Sequence, residues 1–411
     1  MPVPIPPLEI SGTARKRVPS FFRRVSPVWG LSGDSREVPI TRPGVPCTRA
    51  FSCPLPADVT TIPLPPPVGP SLLEQLLEGQ NLSSAQAEAL MVSWLEGSVD
   101  PALSAGLLVA LRAKGVGGEE LAAMARVLRK AAASVGTRPP GPLVDTCGTG
   151  GDGANTFNIS TAVAFAAAAC GAQVAKHGNR SASGRVGSAD VLEALGIDLQ
   201  RPLDQVVNAL QSTGVTFLFA PGWHPGLGRI GPLRRSLGIR TVFNLLGPLV
   251  NPLTPEAQVL GVAREDLLDP MAAALQGLGV GRAVVVHGHG GLDEASLSGP
   301  SALRLVEGGE IRSDGLHPEA LGLALAPLSD LAGGDPPTNA AILEAVLRGQ
   351  GTRAQQDVVS LNTALVLWVA EVAPSIQEGL ARAQEALATG AAWGKVEQLR
   401  EVLPQEPPAA E

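Results

Sequence analysis

The sequence predicts an α/β protein in which a small all-helical domain precedes a large α/β domain with a mostly parallel central sheet. Three observations carry this. From Ser71, four stretches with apolar residues at helical spacing follow one another. Short β-type runs then alternate with helical ones. Those runs are continuously apolar rather than alternating, as in strands covered on both faces.

Taken in order, residues 1–69 are rich in proline and arginine, as in IPPLE, RKR, FFRR and PLPPP, and lack apolar periodicity. They read as a disordered N-terminal extension. An organelle-targeting role is opposed by Glu9, Asp34, Glu37 and the prolines. The helical domain is expected over 70–138, with later helical contributions near 225–240. Within it SLLEQLLEG ends at a glycine, SSAQAEALMVSWLEG opens on a serine cap, and DPALSAGLLVALRAKG and GEELAAMARVLRKAA follow. The α/β domain is expected over 139–403, with 404–411 as a tail. Its β-type runs are PLVD, AQVAKH, TFLFA, TVFN, QVLGVA and RAVVVHG. Helices are expected from Ser160 to Cys170, near Asp190 to Leu195 and from Glu265 to Leu278, and residues 355–402 return to helix.

Composition narrows the partners. A net charge of -7 over 411 residues opposes a broad basic surface for nucleic acid. Cys47, Cys53, Cys147 and Cys170 form no CxxC pair, which fits a reducing, cytoplasmic compartment rather than a zinc site or a disulfide framework. The longest apolar run, Ala162 to Ala169, is far shorter than a bilayer span, so no membrane partner is expected.

The chemistry is concentrated in DTCGTGGDGANTFNIST, Asp145 to Thr161. Gly148, Gly150, Gly151 and Gly153 follow a strand, where missing side chains let backbone N–H groups approach an anion. Asn158, Ser160 and Thr161 then open an alanine-rich helix whose positive end favours phosphate. The spacing is neither GxxxxGK[ST] nor GxGxxG. Lys176 closes AQVAK and leads into His177, Gly178, Asn179 and Arg180, placing charge and donors at a strand's carboxyl end, where α/β sheets bind ligands. His177 reads equally as a structural hydrogen-bonding residue.

Asp293 and Glu294 lie on a glycine-flanked loop after RAVVVHG. Adjacent acids are commonly just surface charge. Beside a phosphate site, however, they suit Mg²⁺, which takes hard oxygens and keeps water and phosphate ligands. Arg229, Arg234, Arg235 and Arg240 crowd one segment, and any one of them could grip a substrate carboxylate.

Together GTGGDGANTFNIST, KHGNR, FLFAP, FNLLGPLVNP and GGLDE resemble the anthranilate phosphoribosyltransferase family of tryptophan biosynthesis, over roughly Ser71 to Val402. That resemblance implies a transferase fold shared with pyrimidine nucleoside phosphorylases, and a homodimer built through the helical domain. It implies transfer of the phosphoribosyl group of phosphoribosyl pyrophosphate to the amine of anthranilate, with Mg²⁺, two ions per site, on the pyrophosphate. By matching motifs, Gly148, Gly151, Asp152, Asn158, Ser160, Thr161, Lys176 and Ser188 would bind the donor. Gly148, Asn179 and Arg234 would bind anthranilate; Ser160, Asp293 and Glu294 would serve the metal; Lys176, Asp293 and Glu294 would carry catalysis. Leu227 and Arg229 depart from relatives, which often carry an aromatic residue and a His or Lys there. The alternatives are a pyrimidine nucleoside phosphorylase, or a non-catalytic nucleic-acid-binding relative without the donor motifs.

Overall fold

The computed structural model describes residues 68–134, 138–180 and 186–405, so the expectations for residues 1–67 and for the last six residues fall outside it. Four helices come first: α1 (Pro70–Leu77), α2 (Ser84–Glu96), α3 (Pro101–Lys114) and α4 (Gly118–Lys130). Their starts are written in the sequence. Ser83 and Gln86 cap α2 reciprocally, and the Asp100 carboxylate accepts from the N–H groups of Ala102 and Leu103 with Pro101 at the first turn of α3.

The α/β part then runs β1 (Val144–Gly148), α5 (Ile159–Ala169), β2 (Val174–Gly178), α6 (Ser188–Ala194), α7 (Leu203–Thr213) and β3 (Val215–Phe219). A helical excursion follows in α8 (Ala220–Trp223), α9 (Gly231–Leu237) and α10 (Val242–Leu246). The chain returns to the sheet in β4 (Ala257–Gly261), α11 (Leu268–Gly277), β5 (Arg282–His287), β6 (Ser301–Glu307) and β7 (Glu310–Leu316). It ends in α12 (Pro336–Leu347), α13 (Arg353–Val369), α14 (Ile376–Ala388) and α15 (Ala391–Val402).

Among the described residues the strands form one seven-stranded sheet ordered β3-β2-β1-β4-β5-β6-β7. β1 to β5 are mutually parallel and β6 and β7 antiparallel, so the sheet is mostly parallel as expected. Strand alternation divides the core. Val284 and Val286 of β5 face the cluster built with α5, α13 and α15, while Ala283 and Val285 face α11 and the helices α1 to α4. The helical part is thus packed on one flank of the sheet.

Three expectations needed correction. TVFN is not a strand: Val242–Leu246 is helix α10, because Thr241 N–H donates to the Asn244 side chain at 2.9 Å and starts a helical turn. Residues 404 and 405 are no loose tail, since Pro404 bridges Ile197 and the Gln405 N–H donates to Gly196 O. The expected helix from Glu265 begins as a 3₁₀ turn and is α-helical only from Leu268. The β6–β7 hairpin and the helices α7 and α12 were not among the elements expected from the sequence.

The strand order reverses direction between β1 and β4, the place where open α/β sheets leave a crevice beyond their carboxyl ends. The glycine loop leaves β1 there.

Candidate active site

Gly148 ends β1 in register with Gly261 at the end of β4. A Cβ at either position would overlap Asp293, at its carboxylate for Gly148 and at its backbone for Gly261. The paired glycines therefore let the 293–294 loop lie across the strand ends. In return the Asp293 Oδ2 accepts from Gly150 N–H at 2.6 Å. Gly150 and Gly151 turn with φ of 66° and 80°, which points the loop into a cleft of about 590 Å³.

Every residue assigned to a substrate or metal lines that cleft except Thr161, and of the four candidate arginines Arg234 and Arg240 line it while Arg229 and Arg235 do not. The Thr161 side chain is fully buried and its N–H donates to Asn158 O, so it lies behind the helix start rather than in the cleft. Asn158 does sit at the start of α5 but does not cap it with its side chain. Its Oδ1 instead accepts from Asn339 Nδ2 at 3.0 Å, tying α12 to the cleft wall.

Lys176 is buried at 2 % exposure, and its ammonium donates to Thr146 O and, at 3.1 Å, to Ser160 Oγ. Beneath it, Asp145 is fully buried, receives His177 N–H and Asn251 Nδ2, and is pushed up to about 6 by burial against the pull of Lys176. The His177 ring is driven down to about 3 by burial and by His224 beside it, and its Nδ1 lies 3.0 Å from Gly247 O. It is neutral at physiological pH and serves as a structural hydrogen-bonding residue. Arg180 turns from the cleft floor to Asp190 and Glu193 on α6, at 2.7 and 2.6 Å. Ser188, at the start of α6, donates to Asn179 O at 3.3 Å and packs against Gly178.

The acids form a larger group than the sequence suggested. One carboxylate oxygen from each of Asp152, Asp293 and Glu294 lies within 4.8 Å of the other two. Burial and the neighbouring Asp152 charge push Asp293 up to about 6, and burial with the Asp293 charge raises Glu294 as well. Glu294 Oε2 is covered and has no protein partner. Three crowded hard oxygens, one of them unpartnered, fit a divalent cation, and Ser160 lines the same recess. Asp152 stands 141 residues from Asp293, so no local spacing could have announced their meeting.

At the other end of the cleft, Arg234 on α9 lies over the Phe243 ring at 5.2 Å, and Phe243 in turn packs on Trp94 of α2 at 5.4 Å. Burial lowers the Arg234 pKa, and among the described residues no carboxylate pairs with it. Arg240 also enters the cleft. Its Nη2 donates to Thr149 O at 2.7 Å and its guanidinium lies against the Cα of Gly151. The sequence had placed it among four arginines without distinguishing it.

Known proteins share both parts of this architecture. Residues 70–132 match the helical bundle domain of a glycosyl transferase family, and residues 140–393 match the a/b domain of the same family. The anthranilate phosphoribosyltransferase of Parasynechococcus marenigrum (strain WH8102) is 63% identical over 340 residues, 82% of this chain and 97% of that protein. Among solved structures, the enzyme of that name from Thermus thermophilus is 44% identical with a TM-score of 0.75, covering 81% of this chain and 99% of its own. The Saccharomyces cerevisiae anthranilate phosphoribosyltransferase in complex with PRPP and Mg is 30% identical with a TM-score of 0.73, covering 81% and 97%.

Proposed function

This chain belongs to the anthranilate phosphoribosyltransferase family, and we infer that it transfers the phosphoribosyl group of phosphoribosyl pyrophosphate to the amine of anthranilate, releasing pyrophosphate. The observation that carries the reading is the three-acid cluster lying directly against the glycine loop. A nucleoside phosphorylase needs a place for one phosphate, whereas a metal-bound pyrophosphate needs the loop, the helix start and hard oxygens together.

Position in the cleft and the family motifs support the residue roles. The Gly148–Asp152 loop and the start of α5 at Asn158 and Ser160 receive the pyrophosphate and phosphate oxygens, with Lys176 behind them and Ser188 closing the far side. Asp152, Asp293, Glu294 and Ser160 would hold the metal, and its identity as Mg²⁺ is supported by the yeast relative solved in complex with PRPP and Mg. When bound, the metal neutralises charge that develops on the leaving pyrophosphate. Arg234 would take the anthranilate carboxylate and Asn179 its amine side, with Gly148 at the boundary. As the amine nitrogen bonds to the ribose C1, the bond from C1 to the pyrophosphate oxygen breaks, and the nitrogen, then holding four bonds, releases one proton to solvent. Anthranilate's amine is neutral near pH 7 and needs no prior deprotonation, so positioning supplies much of the rate. Backbone dipoles and Lys176 stabilise the charge on the departing oxygens.

We also propose a cytoplasmic homodimer joined through the helical part. Support comes from Leu77 and Val109, exposed at 65% and 44% on α1 and α3, and from Cys147 and Cys170 as free thiols. Among the described residues no helix is long and apolar enough to cross a membrane.

The test is an assay of purified protein that follows the loss of anthranilate fluorescence. Consumption that requires both phosphoribosyl pyrophosphate and Mg²⁺, with no cleavage of thymidine by phosphate, is the expected result. Thymidine phosphorolysis without anthranilate consumption would overturn it.

The acid cluster makes a pH prediction. Because Asp293 is raised, its stabilising share is complete below its unfolded value and drains away as pH rises through about 6 in the metal-free protein. Mg²⁺ binds the ionised form, so the rise in Tm produced by millimolar Mg²⁺ should grow between about pH 5 and about pH 7.5. A shift that is equal at both pH values, measured by thermal denaturation, would remove the cluster as the metal site.

A further inference from the structure

The donor loop is pinned from several sides, and one of the pins has no role in the reading above. Thr149 N–H donates to Gly261 O at 2.9 Å, and Ala263 N–H donates to Thr149 Oγ1 at 3.3 Å, both from the end of β4. Gly150 N–H is held by Asp293. These contacts fix the loop's inner side. On the opposite side the Arg240 side chain touches both Thr149 and Gly151.

Arg240 is itself anchored. Its backbone carbonyl accepts from Arg112 Nη1 of α3 at 2.8 Å, and the next residue, Thr241, starts α10 through Asn244. The guanidinium is therefore carried on a segment tied to the helical part, while its tip bonds the α/β part. It is half-buried, and its charge faces Asp152 and Asp293 across the loop, with Arg112 and Arg264 as the cations nearest it. A Cβ at Gly151, where φ is 80°, would fall on that guanidinium and push it aside.

We propose that Arg240 is a positioning residue for the phosphoribosyl pyrophosphate subsite: its planar guanidinium clamps Thr149 and Gly151 so that the loop's N–H groups stay aimed into the cleft. The proposal deepens the function above and rests on the glycine loop being the donor site. A lysine could reach Thr149 O but could not also lie flat against Gly151, so Arg240→Lys is not conservative here. The clamp has no part in the Arg234 end of the cleft, which predicts a one-sided effect.

The experiment compares wild type, Arg240→Ala, Arg240→Lys and the exposed control Arg235→Ala, measuring calorimetric binding of phosphoribosyl pyrophosphate with Mg²⁺ and the KM of each substrate. Arg240→Ala should raise the donor Kd by about tenfold or more, the scale of one lost charge-assisted bond, with the anthranilate KM within about twofold of wild type. Arg240→Lys should recover only part of the loss, and tens of millimolar guanidinium ion should partly restore Arg240→Ala but leave Arg235→Ala unchanged. A donor Kd within about twofold of wild type would overturn the proposal. So would an equal loss for both substrates with no recovery by guanidinium, which marks general misfolding instead of a clamp. Wild-type protein that binds the donor yet leaves anthranilate untouched would overturn the function while the Arg240 comparison, read by donor binding, still stood.

Discussion

The Asp293→Asn, Glu294→Gln double variant is expected to lose turnover on the order of 100-fold or more at limiting Mg²⁺ while folding as well as wild type. The physical reason lies in what the replacements keep. The amide that takes the place of the Asp293 carboxylate retains an oxygen that can accept from Gly150 N–H, so the loop contact at 2.6 Å survives. Both amides keep the shape of the acids and carry no charge, which removes the cost of burying Asp293 and Glu294 and the repulsion each feels from its acidic neighbours, Asp152 for the first and Asp293 for the second. The metal-free variant should therefore melt no lower than wild type above about pH 6, where the buried acids weigh against the fold. What disappears is the charge that draws Mg²⁺. Steady-state rates across a Mg²⁺ series, together with melting curves, separate the two effects. Undiminished turnover at limiting Mg²⁺ would sink the metal assignment.

The second large effect is expected at the acceptor end. Arg234→Ala should raise the KM for anthranilate about tenfold or more, from the loss of a charge-assisted bond of about 1.5 to 3 kcal/mol, and leave the donor KM nearly unchanged. Arg234 is already partly desolvated, stacked over Phe243 and without an acid partner among the described residues, so a substrate carboxylate would meet a pre-positioned cation. Truncation should therefore cost binding more than folding. A rise confined to the donor KM would mean that the two subsites have been assigned the wrong way round.

Much of this was legible in the chain itself, for reasons that differ by element. The glycine loop, the start of α5 and the end of β2 are local: the residues that bind stand within a few positions of the backbone feature that presents them. The short run TVFN carried no such information, because three apolar or β-branched residues in a row suit a buried strand and a buried helical turn equally. Its helix became visible only with the Thr241–Asn244 contact. The β6–β7 hairpin did carry a signal, the Gly308–Gly309 pair after the alternating run SALRLVE, although it was not among the expected elements. Asp152 was expected as a donor residue but not as a member of the acid cluster, and Arg240 only as one of four arginines, for another reason. Each gains its meaning from partners some ninety residues or more away in the chain, Asp293 for the first and Thr149 for the second. Thr161 differs again, since a motif sets it beside the ligand residues while its side chain is fully buried behind the start of α5.

The side-by-side glycines at positions 148 and 261 set a limit on how this enzyme can be hardened. Adjacent parallel strands ordinarily gain from β-branched residues at such paired sites, and a glycine in a strand is weaker by roughly 0.5–1 kcal/mol than alanine in its place. Here a carbon added at 261 would displace the backbone of the loop that carries Asp293, and one added at 148 would displace the Asp293 carboxylate. A search for thermostable variants should therefore find its gains in the outer helices and the β6–β7 edge, and leave this central seam as soft as it stands.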